Sequence, residues 1–192
     1  ARQAGLPVTC EVTPHHIFYD TSQISDDNRG MMQMNPPLRS SDDRLAMLEG
    51  LRDGTLDYLA TDHAPHTLEE KKRPYGEAPS GMPGVETSLP LMLGRANRGE
   101  CSLLEISKWM SEAPARLYGM LNKGRIEVGY DADLVLVDME QTKTVTNGQL
   151  HTRVNWSPFH SMQLKGWPVR TLVHGKTVFW DGKVDTKVRG RE

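Results

Sequence analysis

The sequence predicts an α/β fold that passes into a smaller all-β module, and three observations predict it. The first is Leu56-Asp57-Tyr58-Leu59-Ala60-Thr61-Asp62-His63-Ala64-Pro65-His66. Its apolar run reads as a strand buried on both faces, as in a parallel sheet, and Pro65 prevents the ladder from continuing. The second is the order strand, loop, helix, strand between Val8 and Ala60, which is the βα repeat of α/β folds. The third is a change of character near Asn122, where short β-runs and turn residues replace helical periodicity. The expected division is residues 1–121 for the α/β part and 122–192 for the β-module.

The chain opens Ala1-Arg2-Gln3-Ala4-Gly5-Leu6-Pro7-Val8, without methionine, and reads as a helix end passing into a strand. It is expected to start in mid-architecture, either by processing or as the carboxyl-terminal portion of something longer. Val8 to Thr13 alternates with β-branched residues and stops at Pro14, which predicts a strand with His15 and His16 in a loop at its end. After an excursion from Ile17 to Arg39, Leu45, Leu48 and Leu51 mark a helix over Asp42 to Asp53, with Ser40 and Ser41 as candidate N-caps and Gly54 as its stop. Thr67 to Gly84 is a loop rich in Pro, Gly and charge, longer than an ordinary connection. Glu86 to Arg98 reads as a helix despite Pro90, Ser102-Leu103-Leu104-Glu105 is a capping box, and Ala115 to Tyr118 form a short helix closed by Gly119. Strands are then expected at Arg125–Val128, Asp133–Val137, Arg170–Val173 and Thr177–Trp180, with turns at Gly175-Lys176 and Asp181-Gly182-Lys183. These are too few to close alone, so the module is expected to complete a sheet with segments missing from this chain's amino-terminal side.

Composition is that of an ordinary globular protein, with 37% hydrophobic and 25% charged residues, and this argues against disorder. No apolar run approaches the ~20 residues of a transmembrane helix and no signal-peptide pattern opens the chain, so a cytoplasmic location is expected. A net charge of -2 supplies no basic field for nucleic acid. The one basic cluster, Lys71-Lys72-Arg73, follows Glu69-Glu70 and reads as a solvated loop. Cys10 and Cys101 lie far apart without a CxxC partner, so both are read as small buried hydrophobes rather than a disulfide or a thiolate zinc site.

Chemistry concentrates at the end of the Leu56–Ala60 strand. A carboxylate there can ligate a divalent ion and take a proton from water, and the carboxyl ends of parallel strands are where loops vary over a rigid support. Asp62, His63 and His66 therefore fit metal-assisted hydrolysis, although Pro65 excludes helical His spacing. The same spacing fits Asp62 capping a turn beside two loop histidines. His15-His16 is open between metal ligation and packing. Asn35-Pro36-Pro37-Leu38-Arg39 could hold an amide rigidly toward a polar ring edge, or form a stiff turn. Pro79-Ser80-Gly81-Met82-Pro83-Gly84 contains a glycine that lets backbone approach a ligand closely.

Taken together, these motifs resemble the dihydroorotases of the amidohydrolase superfamily. The resemblance rests on Glu11-Val12-Thr13-Pro14-His15-His16, Met34-Asn35-Pro36-Pro37-Leu38-Arg39, Ala60 to Lys71, Pro83-Gly84-Val85-Glu86-Thr87 and Gly129-Tyr130-Asp131-Ala132-Asp133-Leu134. It extends over nearly the whole chain. The fold it implies is the carboxyl-terminal part of a metal-dependent (β/α)8 TIM-like barrel plus part of a small β-sandwich. The activity it implies is zinc-dependent, reversible hydrolysis of the cyclic amide of dihydroorotate to N-carbamoyl-L-aspartate in pyrimidine biosynthesis, with one or two zinc ions.

By the same resemblance, Asp62 is a zinc ligand and the general base that returns its proton to the leaving ring nitrogen. Asn35 and His66 bind substrate, and the backbone at Ser80 and Gly81 meets the ring. The family's histidine ligands come from earlier strands, so His15-His16 reads as a structural signature. Its His-x-His, its bridging carboxylate or carboxylated lysine and its further histidines have no counterpart here, and this chain alone is expected to be inactive. A homodimer or association with aspartate transcarbamoylase is the expected assembly, with no nucleic-acid or membrane partner. The alternatives are another cyclic amidohydrolase (hydantoinase, dihydropyrimidinase or allantoinase) or a non-catalytic dihydroorotase-like subunit scaffolding aspartate transcarbamoylase. Asn35, His66 and the Thr67–Lys71 run favour dihydroorotase.

Overall fold

The computed structural model describes residues 1–188 and 190. They divide into two compact units, residues 1–88 with 145–162, and residues 89–144 with the described residues from 163 onward.

The first unit is built on short parallel strands. Strand β1 (Glu11–Val12) pairs with β2 (Tyr58–Leu59), Glu11 opposite Tyr58 and Val12 opposite Leu59. The ladder extends at both ends through Asp57 N–H to the Cys10 carbonyl and Ala60 N–H to the Val12 carbonyl. A third parallel contact joins His63 to Met82. Val12, Tyr58 and Leu59 are buried, as expected for strands covered on both faces.

The predicted strand over Val8–Thr13 shrinks to two residues, and Pro14 opens helix α1 (Pro14–Phe18) where a loop was expected, which takes Thr13 out of the strand as its cap. Proline suits the first helical position, where its missing N–H costs nothing, and the Thr13 side chain accepts the N–H of His16 as the cap. His15 and His16 are thus helical. Helix α2 (Ser41–Asp53) forms where expected, with Ser40 as its cap: the Ser40 hydroxyl accepts from Asp43 N–H while the Asp43 carboxylate accepts from Ser40 N–H. The long loop after β2 contains a short helix α3 (Leu68–Lys71), opened by a Thr67–Glu70 capping box. Contrary to the solvated-loop reading, Lys71 is fully buried.

Helix α4 (Val85–Asn97) continues through Pro90, whose ring only removes one N–H near its first turns. Helices α5 (Leu103–Ser107) and α6 (Ala113–Leu117) are joined by a π-helical turn over Lys108–Glu112. Cys101 is buried, but Cys10 is exposed at the start of β1, because the strand edge there lacks cover.

The second unit carries an antiparallel sheet in the order β3 (Leu134–Thr144), β4 (Gln163–Val173), β5 (Lys176–Trp180) and β6 (Lys183–Val184). Two-residue turns join β4 to β5 and β5 to β6. Their central residues, His174-Gly175 and Asp181-Gly182, all have positive φ, the backbone that matches strand twist. Pro168 is accommodated in β4 beside a shift of register between Leu136 and Val137. Arg125–Val128 is not a strand: Ile126 and Val128 lie open to solvent, since β-branched residues without a ladder partner gain nothing from extension. No helix among the described residues is long and apolar enough to cross a membrane.

Candidate active site

The candidate residues gather at the carboxyl ends of the first unit's parallel strands. Leaving β2, the chain turns at Asp62, which has a φ of 44°. Left-handed backbone is uncommon outside glycine, is best tolerated by Asp and Asn, and clusters at functional sites. The turn leaves the Asp62 carboxylate exposed, without a hydrogen bond or ion pair among the described residues.

Immediately beyond, the three ionisable neighbours separate in role. His63 Nδ1 accepts the N–H groups of Gly84 (3.0 Å) and Val85 (3.3 Å), so it caps the start of α4. His66 Nε2 donates to the Ser80 carbonyl at 3.1 Å. A carbonyl only accepts, so the proton sits on Nε2 and Nδ1 is left for another partner. Behind His66, its own carbonyl accepts from Trp156 Nε1 at 2.7 Å.

Ser80 and Gly81 reach this point because Met82 pairs beside His63, with Ala64 N–H bonded to the Met82 carbonyl. Only glycine fits at 81. Its φ is 119°, and a Cβ there would lie 2.5 Å from that of Ala64. Gly81 N–H donates to the Gln33 carbonyl, which brings the segment leading into Asn35 alongside. Asn35 is exposed and joined to Pro36 by a cis peptide bond. His66, Ser80 and Gly81 are therefore in direct contact or adjacent, and Asn35 joins them through Gln33.

His16 serves the same edge from beneath. Its Nε2 donates to the Pro36 carbonyl at 3.0 Å, and its Nδ1 accepts from the Thr13 hydroxyl at 2.7 Å, so both ring nitrogens are engaged. His15 is buried, and burial, helped by His16, drives its pKa down to about 3. It is a neutral core imidazole.

Underneath lies an apolar cluster of Met32, Met34, Leu38, Met82 and Trp156, with Tyr19, Ile24 and Leu68 packed against it. Each site segment borders one of its members: Met34 precedes Asn35, Met82 follows Gly81, and Trp156 holds His66. Lys71 crosses the same region. Its Nζ donates to the carbonyls of Gln33 and Pro79, each at 2.8 Å, and burial lowers its pKa to about 8. Sequence reasoning missed Gln33, Lys71 and Trp156. The legible signal was Gln33, a single polar residue inside Met31-Met32-Gln33-Met34.

As a metal centre the described residues are incomplete: no three His, Cys, Asp or Glu side chains among them could hold an ion. Catalytic zinc takes about three protein ligands. Asp62 by itself does not make that site.

Residues 4–178 match the amidohydrolase family. Among curated relatives, a dihydroorotase of Halobacterium salinarum is 46% identical over 183 residues, covering 95% of this chain and 43% of the relative. A dihydroorotase of Bacillus licheniformis is 41% identical over 187 residues, covering 96% of this chain and 43% of the relative. Among solved structures, L-hydantoinase (dihydropyrimidinase) from Arthrobacter aurescens superposes with a TM-score of 0.88 at 34% identity, over 96% of this chain and 42% of its own. This chain spans less than half the length of these relatives.

Proposed function

The chain belongs to the amidohydrolase family, and from that premise we propose that it forms the carboxyl-terminal part of a dihydroorotase, which hydrolyses the cyclic amide of dihydroorotate reversibly to N-carbamoyl-L-aspartate. The observation that carries this reading is the convergence of Asn35, His66, Ser80 and Gly81 beside Asp62, where the strands of an α/β fold present catalytic groups.

In this reading Asp62 is the general base. It takes a proton from the attacking water as the ring carbonyl carbon becomes tetrahedral, then delivers it to the ring nitrogen as the C–N bond breaks. His66 and Asn35 orient the ring through side-chain hydrogen bonds, and the backbone at Ser80 and Gly81 lies against it. The zinc of this reading belongs to the complete enzyme, with Asp62 as one ligand and the others outside this sequence. Residues 1–121 form the barrel portion and 122–192 part of the small β-sandwich, with 145–162 packing back on the first unit. A cytoplasmic homodimer, or association with aspartate transcarbamoylase, is the proposed setting.

The structural likeness to hydantoinases favours one second reading, a cyclic amidohydrolase with a different ring preference. Assays of the full-length protein on dihydroorotate, hydantoin and allantoin separate the two. Turnover of dihydroorotate is expected, and activity on the other rings alone sinks the lead reading. Bound zinc without any turnover, or neither, points to a scaffold. Asp62→Asn should lower kcat by about 10³-fold. Asparagine tolerates left-handed backbone as well as aspartate does, so unchanged folding is expected, and unchanged turnover removes the base from Asp62.

A further inference from the structure

We propose that Lys71 is a positioning residue for the substrate-binding edge: by clasping the carbonyls of Gln33 and Pro79, its buried amine sets the two backbone segments that carry Asn35 and Ser80-Gly81. The binding roles of those residues rest on the function proposed above. The clasp itself stands on geometry.

Lysines are seldom fully buried, because ordering the long side chain and stripping water from its amine both oppose folding. Lys72 and Arg73 follow the usual pattern and are exposed, so the burial is specific to Lys71. Its Nζ reaches two carbonyls at 2.8 Å, one at Gln33, two residues before Asn35, and one at Pro79, directly before Ser80. Gln33 completes the arrangement. Its Nε2 donates to the Ala78 carbonyl at 2.7 Å, its Oε1 accepts from Gly76 N–H at 3.0 Å, and its carbonyl also accepts from Gly81 N–H. Two side chains thus fix the backbone at Gly76, Ala78 and Pro79, and the Gln33 carbonyl that Lys71 holds fixes Gly81, relative to the Asn35 segment.

Packing alone does not provide this definition. The apolar surface beneath both segments is largely Met32, Met34 and Met82, and methionine adapts to many shapes. Directional hydrogen bonds in a buried site fix one arrangement where flexible thioethers permit several. Lys71 approaches neither Asp62 nor the β1–β2 ladder in any hydrogen bond, so its effect should fall on substrate binding and spare the chemical step.

Lys71→Met keeps the unbranched stem and removes the donor, leaving the Pro79 carbonyl unpaired. In the full-length protein, KM for the hydrolysed cyclic amide should rise about tenfold while kcat stays within about twofold. Amide exchange at Gly76 and Gly81 should accelerate about tenfold, with Ala60 unaffected. Gln33→Leu, which spares the clasp but removes the side-chain bonds to Gly76 and Ala78, should shift KM in the same direction by less. If Lys71→Met does not fold, Lys71→Gln, an uncharged donor on a shorter stem, decides the matter by the same KM and exchange readouts. A folded Lys71→Met with unchanged KM and unchanged exchange at these glycines overturns the proposal, as does a loss confined to kcat. If the full-length protein hydrolyses no cyclic amide, the functional reading fails, while the exchange data still decide whether Lys71 sets the edge.

Discussion

The β3–β6 sheet and the strand-end region around Asp62 are ordered by different means. In the sheet, β4, β5 and β6 are joined by tight turns whose residues specify them on the spot, His174-Gly175 and Asp181-Gly182, while β3 pairs with β4 across the connection 145–162. Around Asp62, two-residue strands are held by groups far away in the chain: Lys71 on Gln33, His63 on the start of α4, Trp156 on His66. A local code gives a robust element. A distributed one allows irregular backbone, such as the left-handed Asp62, to be held at a strand end.

Glycine substitutions sharpen that contrast most. Gly81→Ala adds a Cβ 2.5 Å from that of Ala64 at a φ of 119°, and should cost about 4 kcal/mol through overlap plus backbone strain. Gly182→Ala meets open space at a φ of 78° and should cost only about 1 kcal/mol. Urea unfolding of this chain measures both. Equal costs would mean the strand-end region is no more constrained than a hairpin turn.

Acid should expose the buried histidine of the first unit. Folding holds His15 neutral, with a pKa of about 3 against 6.5 when free. Between those values the unfolded chain binds a proton that the folded chain does not, so stability falls as pH drops below 6.5. By pH 4 the loss reaches about 3 kcal/mol. His15→Gln cannot titrate, and its unfolding free energy should fall less steeply over the same range. Parallel acid limbs would place His15 outside the core.

Legibility in the sequence follows the same division. The hairpin turns, the Ser40 and Ser102 caps and the β2 strand end were readable because each depends on residues within a few positions. The short parallel contact at Met82 was not, since one bridge inside a Pro/Gly loop leaves no periodicity. Lys71 looked solvated because its partners, the carbonyls of Gln33 and Pro79, exist as partners only in three dimensions. Arg125–Val128 failed for the opposite reason: it had local β character, and tertiary structure supplied no ladder. The resemblance to a family identified Asn35, His66, Ser80 and Gly81, and the fold then showed what holds them.

Trp156 offers the finest test of distributed support, because it is buried and makes one polar contact with the site segment. Trp156→Phe retains an aromatic ring in the cluster with Met32, Met34 and Met82, but removes the donor to the His66 carbonyl. Lost packing and the unpaired carbonyl together should cost about 2 kcal/mol. If support is truly distributed, His66 should also lose definition, read as a change in its imidazole NMR signals, while exchange protection in β3–β5 is unchanged. A stability loss with the His66 signals unmoved would make Trp156 ordinary core, and would leave the His66–Ser80 hydrogen bond as what orients that ring.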